Sequence, residues 1–210
     1  MEMIRTVAKA WNIPDIRKKI IFTLVMLLIF RIGSQIPVPG IDRDILAQTF
    51  DSGTGLFALF NLFSGGAFSN FTIFALSITP YITASIILQL LTIAVPSLER
   101  LAKEGTEGRK KIAQYTRYMT VILAIIQAIG VSVGLFRQAL ISTSFFDVAV
   151  IVLVLTAGTA FLMWLGEQIN EYGIGNGISL IIFAGIVSRL PSAVQEIWTK
   201  LQDGSMSIVT

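Results

Sequence analysis

Five apolar blocks, each 17–25 residues long, alternate with shorter polar segments along the chain. They occupy residues 18–36, 71–95, 118–136, 148–166 and 174–190. A helix that crosses a bilayer needs about 20 predominantly apolar residues. The blocks are continuously apolar and lack the period-two alternation of a membrane barrel strand. We therefore predict an all-α polytopic membrane protein with five transmembrane helices.

The second block is preceded by an apolar segment that is too broken to belong to one membrane helix. Residues 52–98 form a run of 47 residues without a charged side chain. Within this run, the stretch NLFSGGAFSNF contains Ser64, Gly65 and Gly66, and glycine lets the chain turn. Non-helical backbone at membrane depth persists only where protein or a water-filled cavity surrounds it. We predict a short apolar re-entrant helix followed by a glycine hinge, with a static re-entrant loop as the alternative.

The second block itself carries scattered hydroxyl and amide side chains. One interpretation is that its hydroxyl groups only hydrogen-bond their own backbone or neighbouring helices. The other is that they form a face that meets water or a changing partner. We expect Pro80, which lies inside this block, to kink or loosen the middle of the helix.

Composition narrows the possible chemistry. The chain is 54% hydrophobic and 14% charged, and it has no histidine and no cysteine. This excludes thiol chemistry, disulfides and histidine acid–base catalysis, and the blocks contain no central carboxylate that would indicate a proton relay. We therefore expect no enzyme activity, no cofactor, no metal and no specific DNA binding. The motif GIGNG at residues 173–177 predicts a tight turn with Asn176 capping the next helix. It is not a phosphate loop, because the lysine of that motif is missing.

Charge distribution predicts the orientation. Of the sixteen Lys and Arg residues, five fall on one side of the predicted membrane and eleven on the other. The five are Arg31, Arg43, Arg137, Arg189 and Lys200. The positive-inside rule therefore places the N-terminus in the cytoplasm and the C-terminus outside. We expect Arg31, near the outer end of the first helix, to have a structural role and to reach the membrane interface.

The two ends of the chain allow further expectations. Residues 1–17 have apolar positions at helical spacing, which predicts an amphipathic cytoplasmic segment lying on the membrane or packed on the protein. An uncleaved first helix is favoured over a signal peptide, because no small-residue cleavage site follows it. Residues 191–210 are predicted to be an external loop. An odd number of spans also suggests one half of an inverted repeat.

The segment 97–117 between the second and third blocks is strongly charged. It is either an orientation-setting loop that also meets anionic lipid or a docking site for a cytosolic partner. The basic residues that would make such contacts are Arg100, Lys103, Arg109, Lys110 and Lys111.

Four motifs together resemble a known family. They are IPVPGI at 36–41, LFNLFSGGAFSNFTIFALSITPYITASIILQLL at 59–91, KEGTEGRKKIAQYTRY at 103–118 and LGEQINEYGIGNGISLIIFAGIV at 165–187. Their order and spacing are similar to the SecY family, the channel subunits of the bacterial protein-translocation complex. The resemblance implies the N-terminal half of a ten-helix clamshell, built from two inverted five-helix halves in the cytoplasmic membrane.

The resemblance also implies functional positions. A plug helix at about 55–70 would seal the closed pore, with contributions from Phe57, Phe60, Asn61, Phe63, Ser64, Gly65 and Gly66. A pore ring would include Ile78, Ile82, Ile182 and Ile186. The lateral gate, through which signal sequences reach lipid, would include Thr79, Thr83, Ile86 and Gln89.

The implied partners are the C-terminal half of the channel, the small membrane subunits SecE and SecG, and either the SecA motor ATPase or a translating ribosome. The implied substrates are signal peptides and unfolded polypeptides. Without the resemblance, half of an inverted-repeat secondary transporter or a structural membrane subunit without a pore would be the alternatives.

Overall fold

The computed structural model describes residues 13–42, 45–46, 61, 64–141 and 144–202. The helices are α1 Pro14–Gly33, α2 Thr79–Ala94, α3 Pro96–Lys103, α4 Thr106–Ile129, α5 Phe145–Tyr172, α6 Gly177–Ser188 and α7 Leu190–Gln202. A π-helical stretch, Gly130–Leu135, continues α4, and a short 3-10 turn follows at Arg137–Ala139. In these ranges β structure is limited to two isolated bridges, so the predicted all-helical architecture is confirmed.

Large parts of the outer surface of this helical bundle are apolar. On α1, Leu24, Leu28 and Ile32 are each more than half exposed and recur every four residues. Exposed apolar stripes of this kind indicate a protein that contacts lipid. Within the described ranges, α5 and α4 with its continuation to Gly134 are long and apolar enough to cross a membrane. The pair α2 and α3 gives a third crossing if it is counted as one span. The count of five spans stays a prediction.

The second predicted helix begins later than the hydrophobic pattern indicates. Residues 71–78 form turns, and α2 starts at Thr79 with Pro80 in its first turn. The expected proline kink inside the helix is therefore wrong. Proline suits a helix start, because its fixed φ is helical and its missing N–H would have no partner there.

The charged segment 97–117 is a helical hairpin and not a loop. The helix axis bends by 100° between α2 and α3, and α3 begins at Pro96. A Cβ on Gly108 would lie 1.7 Å from the Leu101 carbonyl oxygen, so α3 and the start of α4 are in backbone contact. Glycine at this position is what allows the two helices to approach so closely.

The last described segment also differs from its prediction. Where an external loop was expected from residue 191, α7 forms an amphipathic helix with Val194 and Trp198 exposed. The mixed pattern of apolar and polar residues at helical spacing carries this signal. The predicted amphipathic segment at the N-terminus and the plug residues 55–60 lie largely outside the described residues.

Helix α5 lies at the centre of the bundle and joins two core clusters. The Phe136 cluster includes Phe68 and Phe71, whose rings lie 5.6 Å and 5.3 Å from that of Phe136. The Leu162 cluster contains Phe30, Ala67, Phe74, Ile78, Leu162, Leu165, Ile169 and Ile181. Each cluster includes residues from the turns at 64–78, so these turns are packed into the core.

The motif IPVPGI joins the turns to the rest of the fold. The Val38 amide donates to the Phe71 carbonyl at 3.0 Å, and the Ile73 amide donates to the Ile36 carbonyl at 3.0 Å. These backbone bonds fix the chain just before α2. The motif therefore anchors one end of the turn region.

Candidate functional site

The hinge segment, which we define as residues 64–72, forms a compact turn. Gly65 and Gly66 have φ values of +64° and +91°, which favour glycine. The Asn61 side-chain oxygen accepts a hydrogen bond from the Ser69 amide at 3.1 Å and so closes the turn. The glycine turn expected from the sequence is present, and its movement stays a prediction.

The predicted plug is described only in part. Asn61, Ser64, Gly65 and Gly66 are among the described residues, whereas Phe57, Phe60 and Phe63 lie outside them. Ser64 is buried, and its hydroxyl oxygen accepts a hydrogen bond from the Phe68 amide at 3.0 Å.

The hinge segment lies directly against the C-terminal half of α6. A Cβ added to Gly65 would lie 2.9 Å from the Gly185 Cα and 3.0 Å from the Gly185 carbonyl oxygen. Two glycines thus bring two backbones into contact. This pairing could not be predicted from the sequence, because the two residues are far apart along the chain.

Arg31 bridges the same contact from the end of α1. One of its terminal nitrogens, Nη1, lies 3.2 Å from the Gly65 carbonyl oxygen and 3.2 Å from the Ser188 hydroxyl oxygen. The Ser188 hydroxyl donates to the Gly185 carbonyl at 2.7 Å. Arg31 therefore connects the end of α1 to the hinge segment and α6, and its expected reach to the membrane interface stays a prediction.

The predicted ring residues differ in exposure. Ile78 is only 1% exposed and belongs to the Leu162 cluster, and half-buried Ile82 and Ile182 pack against this cluster. Ile186 is half-buried on α6. The structure thus brings Ile78, Ile82 and Ile182 to one cluster. Ile78 itself packs in the core of this chain and presents almost no surface for lining a pore.

The predicted gate residues follow one side of α2 outward from the core. Thr79 and Thr83 are half-buried, whereas Ile86 and Gln89 are exposed. The Thr83 hydroxyl donates to the Thr79 carbonyl at 3.0 Å, one turn earlier. For Thr83, therefore, the structure favours the simpler of the two interpretations, a hydroxyl that bonds its own helix.

A cleft of 260 Å³ separates α2 from the start of α6. The residues that line it are Tyr81, Ile82, Ser85, Ile86, Asn170, Asn176, Ile178 and Ser179. Hydroxyl and amide groups dominate its polar part, and none of these described lining residues is charged. Asn170 was not among the predicted site residues, although an amide near the end of an apolar helix is a usable signal.

The turn between α5 and α6 is built by the GIGNG motif. Asn176 caps α6 as predicted, with its side-chain oxygen accepting from the Ser179 amide at 3.1 Å. Asn170 accepts from the Gly177 amide at 2.7 Å. A Cβ on Gly177 would lie 2.1 Å from the Gly166 carbonyl oxygen, so only glycine fits there.

The basic residues predicted for cytoplasmic contacts are all exposed on α3 and α4. Two of them have acidic partners on the same helix, Lys103 with Glu99 and Lys110 with Glu107. Exposed pairs of this kind contribute little stability. Nearby, the Arg117 side chain pairs with Glu167 at 2.8 Å and links α4 to α5.

Comparison with known proteins identifies the family. The SecY family model matches residues 72–210, more than half of the chain. The protein translocase subunit SecY of Halalkalibacterium halodurans is 53% identical over 206 residues, which cover 96% of this chain and 47% of that protein.

Two solved structures share the fold. One, described as a protein-conducting channel, aligns with a TM-score of 0.64 at 21% identity and covers 92% of this chain and 43% of its own. The other is described as a SecY protein whose plug domain stabilises the closed state of the translocation channel and maintains a membrane seal. It aligns with a TM-score of 0.64 at 21% identity and covers 92% of this chain and 42% of its own.

The chain spans about half the length of the relatives it matches. The family model and the level of identity to its relative agree with the motifs and the helical architecture. The chain belongs to the SecY family.

Proposed function

We propose that this chain forms one half of a protein-conducting channel in the cytoplasmic membrane of a bacterium. The channel passes unfolded secretory polypeptides across the membrane and releases membrane helices sideways into lipid. A pore ring and a plug seal it at rest. The second half is the C-terminal part of the same channel.

The position of the hinge segment is the observation that best supports this proposal. Gly65 touches Gly185, which lies between the ring candidates Ile182 and Ile186 on α6. A plug formed by the preceding residues, 55–63, would therefore be tethered beside the constriction that it would close. A ring of isoleucines forms a dry constriction that gates by excluding water and binds no passing chain specifically.

We assign the five spans to α1, α2, α4, α5 and α6, with the N-terminus in the cytoplasm. Charge supports this orientation. The first turns of α1 carry Arg17, Lys18 and Lys19, and α3 carries Arg100 and Lys103 between two spans. Helix α6 has 12 residues, which suits a short central helix surrounded by protein more than a lipid-exposed span.

The cleft between α2 and α6 supports a lateral gate on this side of the chain. Its lining of neutral hydroxyl and amide groups is compatible with peptide segments of any charge. The exposed gate residue Ile86 lines this cleft, and exposed Gln89 lies about one turn farther along α2, where an apolar signal sequence would meet them before reaching lipid.

Family membership suggests the partners. They are SecE and SecG within the membrane and SecA or a translating ribosome on the cytoplasmic side. The hairpin of α3 and α4 offers Arg100, Arg109 and Lys111 to a cytosolic partner or to anionic lipid.

Deletion of residues 57–70 tests the proposal in the full-length channel with its native partners. We expect ion conductance of the resting membrane to rise, because the constriction loses its plug. The intact channel, incorporated to the same level, is the control. Unchanged conductance would refute the plug assignment. Saturable transport of a small solute would instead favour the secondary transporter.

A further inference from the structure

We propose that the cleft between α2 and α6 binds the peptide backbone of the entering polypeptide and recognises its carbonyl oxygens. The proposal rests on the channel function proposed above and deepens it, because it gives the substrate a binding site ahead of the constriction. The side chains that would make this contact are Ser85, Asn170, Asn176 and Ser179.

The two asparagines of the cleft have their side-chain oxygens committed to the protein. The Asn170 Oδ1 accepts from the Gly177 amide at 2.7 Å, and the Asn176 Oδ1 accepts from the Ser179 amide at 3.1 Å. A backbone N–H can only donate, so each side-chain amide must turn its oxygen to it and its nitrogen elsewhere. Neither Nδ2 group has a hydrogen-bond partner among the described residues. Each therefore offers two N–H donors to a ligand.

The two serines of the cleft differ from hydroxyl side chains elsewhere on the helices. Thr83, Thr120 and Thr159 each donate to the carbonyl four residues earlier in the same helix. The hydroxyls of Ser85 and Ser179, by contrast, form no hydrogen bond with any part of the chain that the structure describes. Both hydroxyls are therefore available to a ligand in the cleft.

The chemistry of the cleft favours a neutral hydrogen-bond acceptor. Its amide nitrogens can only donate, and none of its described lining residues is charged. A phosphate or carboxylate ligand is typically held by a cationic side chain. The peptide carbonyl is a neutral acceptor that every residue of a polypeptide carries. The volume of 260 Å³ equals that of about eight water molecules, so a short backbone segment can replace water there.

The cleft lies directly beside the ring candidates. Ile82 lines it and also packs, as does Ile182, against the Leu162 cluster. Ile178 lines it one turn before Ile182. In the proposed orientation α6 begins on the cytoplasmic side, so an entering polypeptide reaches the cleft before the ring. Its carbonyls would exchange water for protein donors there at little net change in free energy.

The test uses the full-length channel with its native partners, reconstituted in liposomes. The variants are Asn176→Ser, the double variant Ser85→Ala with Ser179→Ala, and all three changes together. Serine caps a helix about as well as asparagine, so Asn176→Ser removes the amide donors and keeps the cap. The matched control is Thr92→Val. The Thr92 hydroxyl also lies on α2, but it donates to the Gln89 carbonyl at 2.7 Å and does not line the cleft.

The measurements are the apparent KM and the maximal rate of export for four precursors. Three of them share one signal sequence and have a neutral, an acidic or a basic mature region. The fourth has the neutral mature region with a run of its backbone amides replaced by esters, whose carbonyls are weaker acceptors. Comparison of the four separates recognition of the backbone from recognition of side chains.

We expect Asn176→Ser to raise the apparent KM of the three amide precursors by about fivefold, the factor for losing one neutral hydrogen bond. The maximal rate should not change, because the contact is made in binding and not in a later step. The combined variant should raise the KM further. The variants should affect the ester precursor less than the amide precursors, because both changes weaken the same bonds. Thr92→Val should match the unmodified channel.

Four outcomes would overturn the site and leave the channel function standing. An unchanged KM in the combined variant would show that the cleft holds water only. An effect confined to the acidic or the basic precursor would show recognition of side chains. An ester precursor as sensitive as the amide precursors would exclude the carbonyl as the recognised group. An equal effect of Thr92→Val would assign the change to α2 as a whole.

The channel function itself fails separately, if the unmodified channel exports none of the four precursors. If Asn176→Ser fails to accumulate in the membrane, the double serine variant decides by the same KM measurement. Its two hydroxyls hold no other described part of the protein, so their loss should leave the fold intact.

Discussion

Replacement of Gly65 by alanine tests the close contact between the hinge segment and α6. The φ of Gly65 is +64°, a conformation that costs a non-glycine residue about 1–2 kcal/mol. The new methyl group would also lie 2.9 Å from the Gly185 Cα, a backbone atom that cannot rotate away. Overpacking of this kind costs about 1–3 kcal/mol. We expect a total destabilisation of about 2–5 kcal/mol.

Gly66→Ala is the matched control for this prediction. Gly66 also has a positive φ, +91°, but its added Cβ would find its nearest neighbour, the Arg189 Nε, at 3.7 Å. This variant should therefore be destabilised by the conformational cost alone, about 1–2 kcal/mol, with no overpacking cost. The difference between the two variants isolates the contact of Gly65 with Gly185.

The assay is thermal unfolding of the full-length channel in detergent, together with its resting ion flux in liposomes. Gly65→Ala should unfold at a lower temperature than Gly66→Ala, and it should leak more, because the C-terminal end of α6 must shift to accept the methyl group. Equal unfolding temperatures for the two variants would show that the close backbone approach has no energetic consequence. The reasoning from the structure would then be wrong.

Three further predictions concern other parts of the site. Replacing Ile82 and Ile186 with glycine should loosen the seal and relax signal-sequence selectivity, and normal stringency in an export assay would count against the ring. Gly177→Ala should abolish stable packing of α5 on α6, because its Cβ would lie 2.1 Å from the Gly166 carbonyl oxygen. The control Gly130→Ala should be neutral or slightly stabilising in the same unfolding assay, because there is open space around its Cβ. Glu167→Gln should lower stability by less than about 1 kcal/mol, since the Arg117 partner is half-exposed; a larger loss would show that this pair does more than link α4 to α5.

Local features of the fold were predictable because their causes are local. The apolar blocks predicted helices, and Asn176 predicted the cap of α6. The glycine pair at 65–66 predicted a turn, and both glycines have positive φ. The start of α2 was predictable in principle from Pro80. It was missed because the uncharged residues before the proline continue the hydrophobic pattern without a break.

The contacts that define the candidate site depend on residues far apart in the chain. Arg31 reaches Gly65 and Ser188, which are 34 and 157 positions away. No period or spacing in one sequence records such a contact. The burial of Ile78 is similar, because it depends on α5 and α6 packing over the turn that precedes α2.

In the proposed channel, the spacing of Ile182 and Ile186 along α6 would limit how much of a passing polypeptide is dehydrated at once. Four residues of helix rise about 6 Å, whereas an extended chain advances about 3.3 Å per residue. If these two side chains form one side of the constriction, only about two residues of the substrate occupy the dry zone at any moment. A hydrophilic segment would then lose its water a pair of residues at a time, over about a fifth of the roughly 30 Å hydrocarbon thickness.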